Sequence, residues 1–161
     1  MNKALLSSQK MEWETPQKLF NKLNEEFHFT LDPCCTKETA KCEKFYTKED
    51  DGLSKSWENE IVFCNPPYGK EISKWVEKCS NEAKNGTTVV MLIPARTDTR
   101  YFHKFIYGKA EIRFIKGRLK FSLNGEAFYP APFPSMVVIF KANEKENESN
   151  TCSENKETGT C

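Results

Sequence analysis

The chain has 161 residues, of which 38% are hydrophobic and 12% aromatic, and its 24 basic and 23 acidic side chains leave a net charge of +1. This content is typical of one globular domain with an ordinary core, and it excludes an intrinsically disordered chain. The near balance of charge does not by itself indicate a nucleic-acid-binding protein, so any basic surface must be local.

The first part of the chain predicts one helix and two short strands. Residues 1–12 are predicted to form a loose leader before a folded domain at residues 13–141. Thr15 is the predicted N-cap of a helix with Pro16 at its first position, because the apolar residues that follow recur at helical spacing. Short strands are predicted near residues 30 and 46, with one or two helical turns over residues 36–43 between them.

Strands and helices alternate through the rest of the domain. The predicted elements lie at residues 61–64, 70–84, 89–93, 98–107, 111–115 and 136–140, and a loop rich in Phe, Pro and Gly separates the last two. Alternation of buried strands with helices predicts an α/β domain with a largely parallel sheet. Residues 142–161 have no apolar periodicity and predict a disordered acidic and polar tail.

Three distinctive segments follow predicted strands. They are Asp32-Pro33, Asn65 to Tyr68, and Pro94 to Arg96. Ligands of parallel sheets bind beyond the carboxyl ends of the strands, so we expect these three segments to share one cleft.

The segment Asn65-Pro66-Pro67-Tyr68 carries the clearest chemistry. Two prolines fix the backbone and remove two donors, which leaves the Asn65 side chain and the Pro66 carbonyl as acceptors for one ligand group. Two acceptors on the hydrogens of an aromatic amine favour a localised lone pair that attacks a sulfonium methyl directly. Tyr68 offers an aromatic face to a flat ring, and a base inside a duplex must be flipped out to reach it.

Alternative interpretations stay open for two of the motifs. Pro-Pro-Tyr also occurs in linear WW-domain ligands, but its position between an apolar strand and an amphipathic helix is typical of an active-site loop. The seven cysteines lack paired C-x-x-C spacing and indicate free thiols in a reducing compartment. A zinc site formed by Cys34, Cys35, Cys42 and Cys64 is the more specific alternative to free thiols.

Several segments share their order and spacing with a known family. Besides the Asn-Pro-Pro-Tyr segment, they are Trp13-Glu14-Thr15-Pro16, Leu31-Asp32-Pro33-Cys34, Asp51-Gly52-Leu53, Pro94-Ala95-Arg96-Thr97-Asp98-Thr99 and Gly117-Arg118-Leu119-Lys120-Phe121. From about Trp13 to Phe140 the chain resembles the phage-type DNA N6-adenine methyltransferase (Dam-like) family.

The resemblance implies a fold, a methyl donor and an acceptor. The fold is an abbreviated, Rossmann-like methyltransferase sheet with helices on both faces, the donor is S-adenosylmethionine, and the acceptor is adenine in DNA. The implied catalytic residues are Asn65, Pro66, Pro67 and Tyr68. The implied donor-binding residues are Thr15, Pro16, Asp32, Pro33, Asp51 and Leu53. One departure is the turn after the first strand, where Cys34-Cys35-Thr36-Lys37 replaces the glycine-rich turn of many methyltransferases.

The resemblance also implies a DNA surface and a cellular setting. The implied DNA contacts are Arg96, Thr97, Lys116, Arg118 and Lys120. We expect DNA as the partner, no membrane association, no metal and no obligate protein partner, in the cytoplasm of a bacterial host or phage-infected cell. RNA adenine or protein glutamine stays open as the substrate of the same chemistry, and a catalytically degenerate nucleic-acid-binding module stays open as the alternative to an enzyme.

Overall fold

The computed structural model describes residues 13–123 and 127–143, so the predictions for residues 1–12 and 144–161 lie outside the described residues. The strands in this part are β1 (Leu31–Asp32), β2 (Lys44–Phe45), β3 (Ile61–Cys64), β4 (Thr88–Pro94), β5 (Glu111–Phe114), β6 (Lys120–Leu123), β7 (Ala127–Pro130) and β8 (Ser135–Phe140). The helices are α1 (Gln17–Phe27) and α2 (Ile72–Lys84), with a short 3₁₀ helix at Gly52–Ser54 and a π-helix at Phe102–Ile106.

Six strands form one sheet in the order β2-β1-β3-β4-β8-β5. The neighbours among β2, β1, β3 and β4 run parallel, whereas β8 is antiparallel to both β4 and β5. Strand β8 is therefore the one reversed strand of this sheet, which confirms the prediction of a mixed α/β fold with a largely parallel sheet. The carboxyl ends of β1 and β3 lie side by side as a result.

The core lies around the central strands. The side chains of β4 and β8 are almost all buried, as their continuous apolar runs predict. Helix α1 buries Phe20, whose ring meets Phe63 of β3 edge-on at 5.2 Å. Helix α2 buries its apolar face, from which Trp75 stacks on the fully buried Trp57 at 6.3 Å. These aromatic contacts fix both helices relative to the sheet.

The start of α1 differs from the prediction. Pro16 is the N-cap, with φ −55° and ψ 127°, and its carbonyl accepts the first helical hydrogen bond from the Phe20 N–H at 3.1 Å. Thr15 was predicted to cap this helix, and that prediction is wrong. Its hydroxyl instead accepts a hydrogen bond from Asn65 at 2.9 Å, so a partner distant in sequence outcompetes the local cap.

Three further segments differ from their predicted structure. Residues 36–43 form turns and bends in place of a helix. The predicted helix at residues 98–107 is shorter and includes a π-helix, with the Tyr107 N–H bonded to the Phe102 carbonyl at 2.7 Å. The region predicted as a loop between the last two strands of the sheet contains the antiparallel hairpin of β6 and β7. Within residues 13–123 and 127–143, no helix combines the length and hydropathy that a membrane span requires.

Candidate active site

A cavity of about 520 Å³ opens beyond the carboxyl ends of β1 and β3. Its walls come from the segment before α1, the loops after β1 and β2, and the loop after β3. It brings together most of the sequence-predicted donor and catalytic residues, namely Thr15, Asp32, Pro33, Asp51, Leu53, Asn65, Pro66, Pro67 and Tyr68. Because adjacent parallel strands end at one edge of a sheet, two strand ends suffice to place these residues together.

Other predicted site residues lie outside the cavity. Pro16 is not part of its wall, and the implied DNA contacts Arg96, Thr97, Lys116, Arg118 and Lys120 are exposed elsewhere. The prediction that Pro94 to Arg96 shares the cleft is wrong. The Ala95 N–H donates to the Pro134 carbonyl at 2.8 Å, so the chain leaving β4 follows the segment before β8 and does not turn toward the cavity.

Asn65 is held on three sides. Its Nδ2 donates to the Trp13 carbonyl at 2.6 Å and to the Thr15 hydroxyl at 2.9 Å, and its Oδ1 accepts from the Tyr68 hydroxyl at 2.8 Å. The Tyr68 hydroxyl also lies 3.1 Å from the Leu92 carbonyl of β4. Through Asn65 and Tyr68, these contacts join the segment before α1, the loop after β3 and strand β4.

An aromatic cluster lies beside Asn65. It consists of Trp13, Tyr68, Phe121 and Phe133, whose rings meet mostly edge-on with centroids 5.2 to 6.2 Å apart. Phe121 comes from β6, so the hairpin packs against Trp13, whose carbonyl holds Asn65. The ring of Tyr68 is only 6% exposed, and burial holds the pKa of its hydroxyl well above the usual range. Tyr68 is therefore a neutral hydrogen-bond donor at this site.

Asp32 organises the loop that replaces a glycine-rich turn. One carboxylate oxygen accepts the Cys34 N–H at 3.3 Å and the other accepts the Lys41 N–H at 3.1 Å. The residue is 3% exposed, and burial raises the pKa of its carboxyl to about 6, although the two backbone hydrogen bonds act in the opposite direction. Asp32 thus anchors residues 34–41 along one wall of the cavity.

Gly52 allows the loop after β2, which forms one wall of the cavity, to pack closely against Pro33 at the end of β1. A side chain at this position would place a Cβ 2.1 Å from the Pro33 carbonyl oxygen and 3.2 Å from the Trp75 ring. Only glycine permits this approach between the loop after β2 and the end of β1. Asp51, just before it, is exposed and has a left-handed backbone with φ 55°.

Four charged residues that line the cavity were missed from the sequence, namely Glu14, Lys41, Lys48 and Glu71. Lys41 has a side chain only 9% exposed, and its Nζ lies 2.8 Å from the Gln17 side-chain oxygen and 3.7 Å from the Glu14 carboxylate. Both Lys41 and Glu14 face the cavity. Glu14 lies within the quoted Trp-Glu-Thr-Pro segment, so it could have been found, but Lys41 lies in the residues predicted to be helical and carries no motif.

The cysteine cluster does not form a metal centre. Among the described residues, no group of three or more His, Cys, Asp or Glu side chains is placed to hold a metal ion, and this excludes the zinc alternative for Cys34, Cys35, Cys42 and Cys64. Cys35, Cys42 and Cys64 are free thiols, and burial raises the pKa of the Cys42 thiol to about 12.

Comparison with known proteins gives consistent matches. A family model described as DNA N-6-adenine-methyltransferase (Dam) matches residues 2–159. A DNA N-6-adenine-methyltransferase of Haemophilus phage HP1 (strain HP1c1) is 30% identical over 134 residues, which cover 80% of this chain and 78% of that relative. A DNA N-6-adenine-methyltransferase of Escherichia phage T1 is 30% identical over 118 residues, which cover 72% of this chain and 49% of that relative. The aligned region thus spans about half the length of the phage T1 protein.

The buried carboxyl of Asp32 predicts a pH-dependent cost to stability. Its pKa is about 6 in the folded chain and near 3.8 in the unfolded chain, so the folded state binds more protons between these values. The free energy of unfolding should therefore fall as pH rises from about 4 to about 6, by on the order of 2 kcal/mol from this group.

Urea unfolding of the parent and of Asp32→Asn at several pH values checks this expectation. The difference in unfolding free energy, variant minus parent, should rise with pH over that window and level off above it. A difference that does not vary with pH would show that the Asp32 carboxyl has an ordinary pKa.

Proposed function

Because the chain belongs to the DNA N-6-adenine-methyltransferase (Dam) family, we propose that it transfers a methyl group from S-adenosylmethionine to the N6 amino group of a flipped adenine in DNA. The observation that carries the proposal is the orientation of Asn65. Its amide nitrogen is anchored to Trp13 and Thr15, which leaves its oxygen as the acceptor for an incoming amine.

The cavity has the size and lining that suit the donor. Its volume of about 520 Å³ falls within the range of small-molecule sites, and it combines apolar walls with carboxylates. We place the donor's adenine near Asp51, Leu53 and Trp75. At this end of the cavity, the loop that carries Gly52 packs closely against Pro33. Asp51 is exposed, so its hydrogen bond contributes less than a buried one would. When bound, S-adenosylmethionine supplies an electrophilic methyl group on a positively charged sulfur.

The donor's amino-acid end needs groups of both charges. Glu14 and Lys41 lie together on the cavity wall. Glu14 directly precedes Thr15, whose hydroxyl accepts a hydrogen bond from the catalytic Asn65. We propose that Lys41 binds the donor carboxylate and Glu14 its ammonium group, with Thr15 on the wall beside them and Pro16 fixing the backbone just outside the cavity. Asp32 and Pro33 then support this end, because the Asp32 carboxylate fixes the backbone of Lys41. In its ionised form Asp32 also attracts a cationic ligand.

The residues at the acceptor end activate the amine without a covalent intermediate. Asn65 Oδ1 and the Pro66 carbonyl accept the two amino hydrogens, and Pro67 holds the backbone in the required shape. With the donor bound, the lone pair of the nitrogen would form the new N–C bond as the S–C bond breaks, neutral S-adenosylhomocysteine would be the leaving group, and the nitrogen would lose one proton to water. The bond to Asn65 strengthens as the nitrogen becomes positive, so it lowers the barrier more than it tightens binding.

Access for the base requires movement of the aromatic cluster. A duplex must release the adenine before the reaction, and the flipped ring needs a stacking surface. Tyr68 is the candidate surface, but its ring meets Phe133 edge-on at 5.5 Å and is almost buried. We therefore propose that Phe133 and the hairpin of β6 and β7 shift when the base enters.

The DNA backbone is proposed to lie over the surface next to this hairpin. Arg118 and Lys120 lie within three residues of Phe121, which packs against Trp13. Lys116 lies on the same connection, whereas Arg96 and Thr97 follow β4. All five side chains are exposed and suit phosphate contacts. The setting we propose is a bacterial host or phage-infected cell.

Asn65→Ala should strongly reduce the rate of methyl transfer and leave the fold and donor binding nearly unchanged. The lost acceptor acts mainly in the transition state, so its removal should cost on the order of 3 kcal/mol in activation energy, about a hundredfold in rate. Transfer of tritiated methyl groups to adenine-containing DNA measures the rate, and calorimetry with S-adenosylhomocysteine measures donor-site binding. Transfer at the parental rate would remove Asn65 from the mechanism.

Lys41→Gln should weaken binding of S-adenosylhomocysteine about tenfold, because one charged hydrogen bond is lost. It should barely change binding of 5′-methylthioadenosine, which lacks the amino-acid end. The exposed neighbour Lys37 lies on the same loop outside the cavity, so Lys37→Gln is the matched control and should behave like the parent. Equal losses for both ligands would assign Lys41 a purely structural role.

Arg118→Ala should weaken DNA binding. It should also make the slope of log affinity against log salt concentration shallower, by about the amount expected for one lost phosphate contact. Lys22→Ala, at an exposed position of α1, serves as the control and should keep the parental slope. Fluorescence anisotropy over a series of salt concentrations gives the slopes. Identical slopes for parent and Arg118→Ala would place this arginine away from the DNA.

A further inference from the structure

The amide of Asn65 has a fixed orientation, and the reason lies in the Trp13 backbone. A carbonyl oxygen can only accept hydrogen bonds, and the Trp13 carbonyl lies 2.6 Å from the terminal amide atom that faces it. That atom must therefore be the nitrogen, because rotation of the amide by 180° would bring two oxygens into repulsive contact.

Hydrogen bonds to Thr15 and Tyr68 favour the same orientation of the Asn65 amide. The Thr15 hydroxyl accepts from Nδ2 at 2.9 Å, and the Tyr68 hydroxyl donates to Oδ1 at 2.8 Å. Thr15 is buried, so its hydroxyl has little access to water as an alternative partner. An oxygen carries two lone pairs, so Oδ1 keeps one acceptor position after the bond from Tyr68.

We propose that the Trp13 carbonyl and the Thr15 hydroxyl are positioning groups that aim the Asn65 oxygen at the target amine. The same contact makes the site selective for a neutral side chain at position 65, since an ionised carboxylate there would face the Trp13 carbonyl oxygen. The inference rests on the proposed function, because it assumes that the target amine donates a hydrogen bond to the Asn65 oxygen. It assigns Thr15 a role through Asn65 that is distinct from shaping the donor site.

A carboxyl introduced by Asn65→Asp needs a proton to fit this arrangement. In the protonated form its O–H donates to the Trp13 carbonyl and its other oxygen still accepts from the amine. In the ionised form no hydrogen lies between the two oxygens. The charged groups that share the cavity are Glu14, Asp32, Asp51, Glu71, Lys41 and Lys48, and all of them are present in the parent as well. The ratio of variant to parent therefore isolates the introduced group.

The first experiment distinguishes the contribution of the Thr15 hydroxyl from that of its methyl group. Thr15→Val keeps the shape and removes the acceptor, whereas Thr15→Ser keeps the acceptor. Thr15→Val should lower kcat about fivefold and leave the dissociation constant for S-adenosylhomocysteine unchanged, as expected for one lost hydrogen bond to a catalytic group. Thr15→Ser should retain the parental kcat. A parental kcat for Thr15→Val, or a loss confined to donor binding, would overturn the positioning role.

The second experiment follows Asn65→Asp against pH. The ratio of its kcat to that of the parent should fall about tenfold per pH unit above the pKa of the introduced carboxyl, since only the protonated form is competent. The difference in unfolding free energy, variant minus parent, should also become less favourable as pH rises above about 4. A ratio and a stability difference that stay constant between pH 5 and pH 8 would overturn the proposal. The stability readout needs no methyl transfer, so it tests the network even if the parent proves inactive on DNA.

Discussion

The hydrogen bond from Asn65 to the Trp13 carbonyl is the contact on which the site depends. It ties the segment before α1 to the end of β3, two regions that are 52 residues apart in sequence. The same amide nitrogen also donates to the Thr15 hydroxyl, which explains why Thr15 does not cap α1 and why Pro16 is the N-cap in its place. Local helix signals yield here to one buried tertiary contact.

Two loops compensate for the missing glycine-rich turn after β1. The Asp32 carboxylate holds residues 34–41 through backbone hydrogen bonds, and Gly52 lets the loop after β2 approach Pro33 closely. The cavity is therefore shaped by a buried acid and by one glycine from a different loop. Ionised at neutral pH, this buried acid lowers the free energy of unfolding.

The sequence predicted a largely parallel sheet, both α-helices and nine of the residues that line the cavity, because continuous apolar runs and strand-end motifs are local signals. It missed the hairpin of β6 and β7, whose pairing depends on residues up to Pro130 that read as a proline-rich loop. It also missed Lys41, which reaches the cavity only because Asp32 folds the intervening loop back. The role of the Tyr68 hydroxyl was equally hidden, since a motif gives residue types and not their hydrogen-bond partners.

The central claim is methyl transfer to adenine in DNA, and the nature of the modified molecule tests it most directly. The chain should be expressed in a bacterial host that lacks adenine methylation, followed by mass spectrometry of nucleosides from DNA and RNA and of hydrolysed protein. We expect N6-methyladenine in DNA that is absent from a host expressing Asn65→Ala. Methylation confined to RNA or to protein glutamine, or no methylation by a chain that still binds S-adenosylhomocysteine, would contradict the claim.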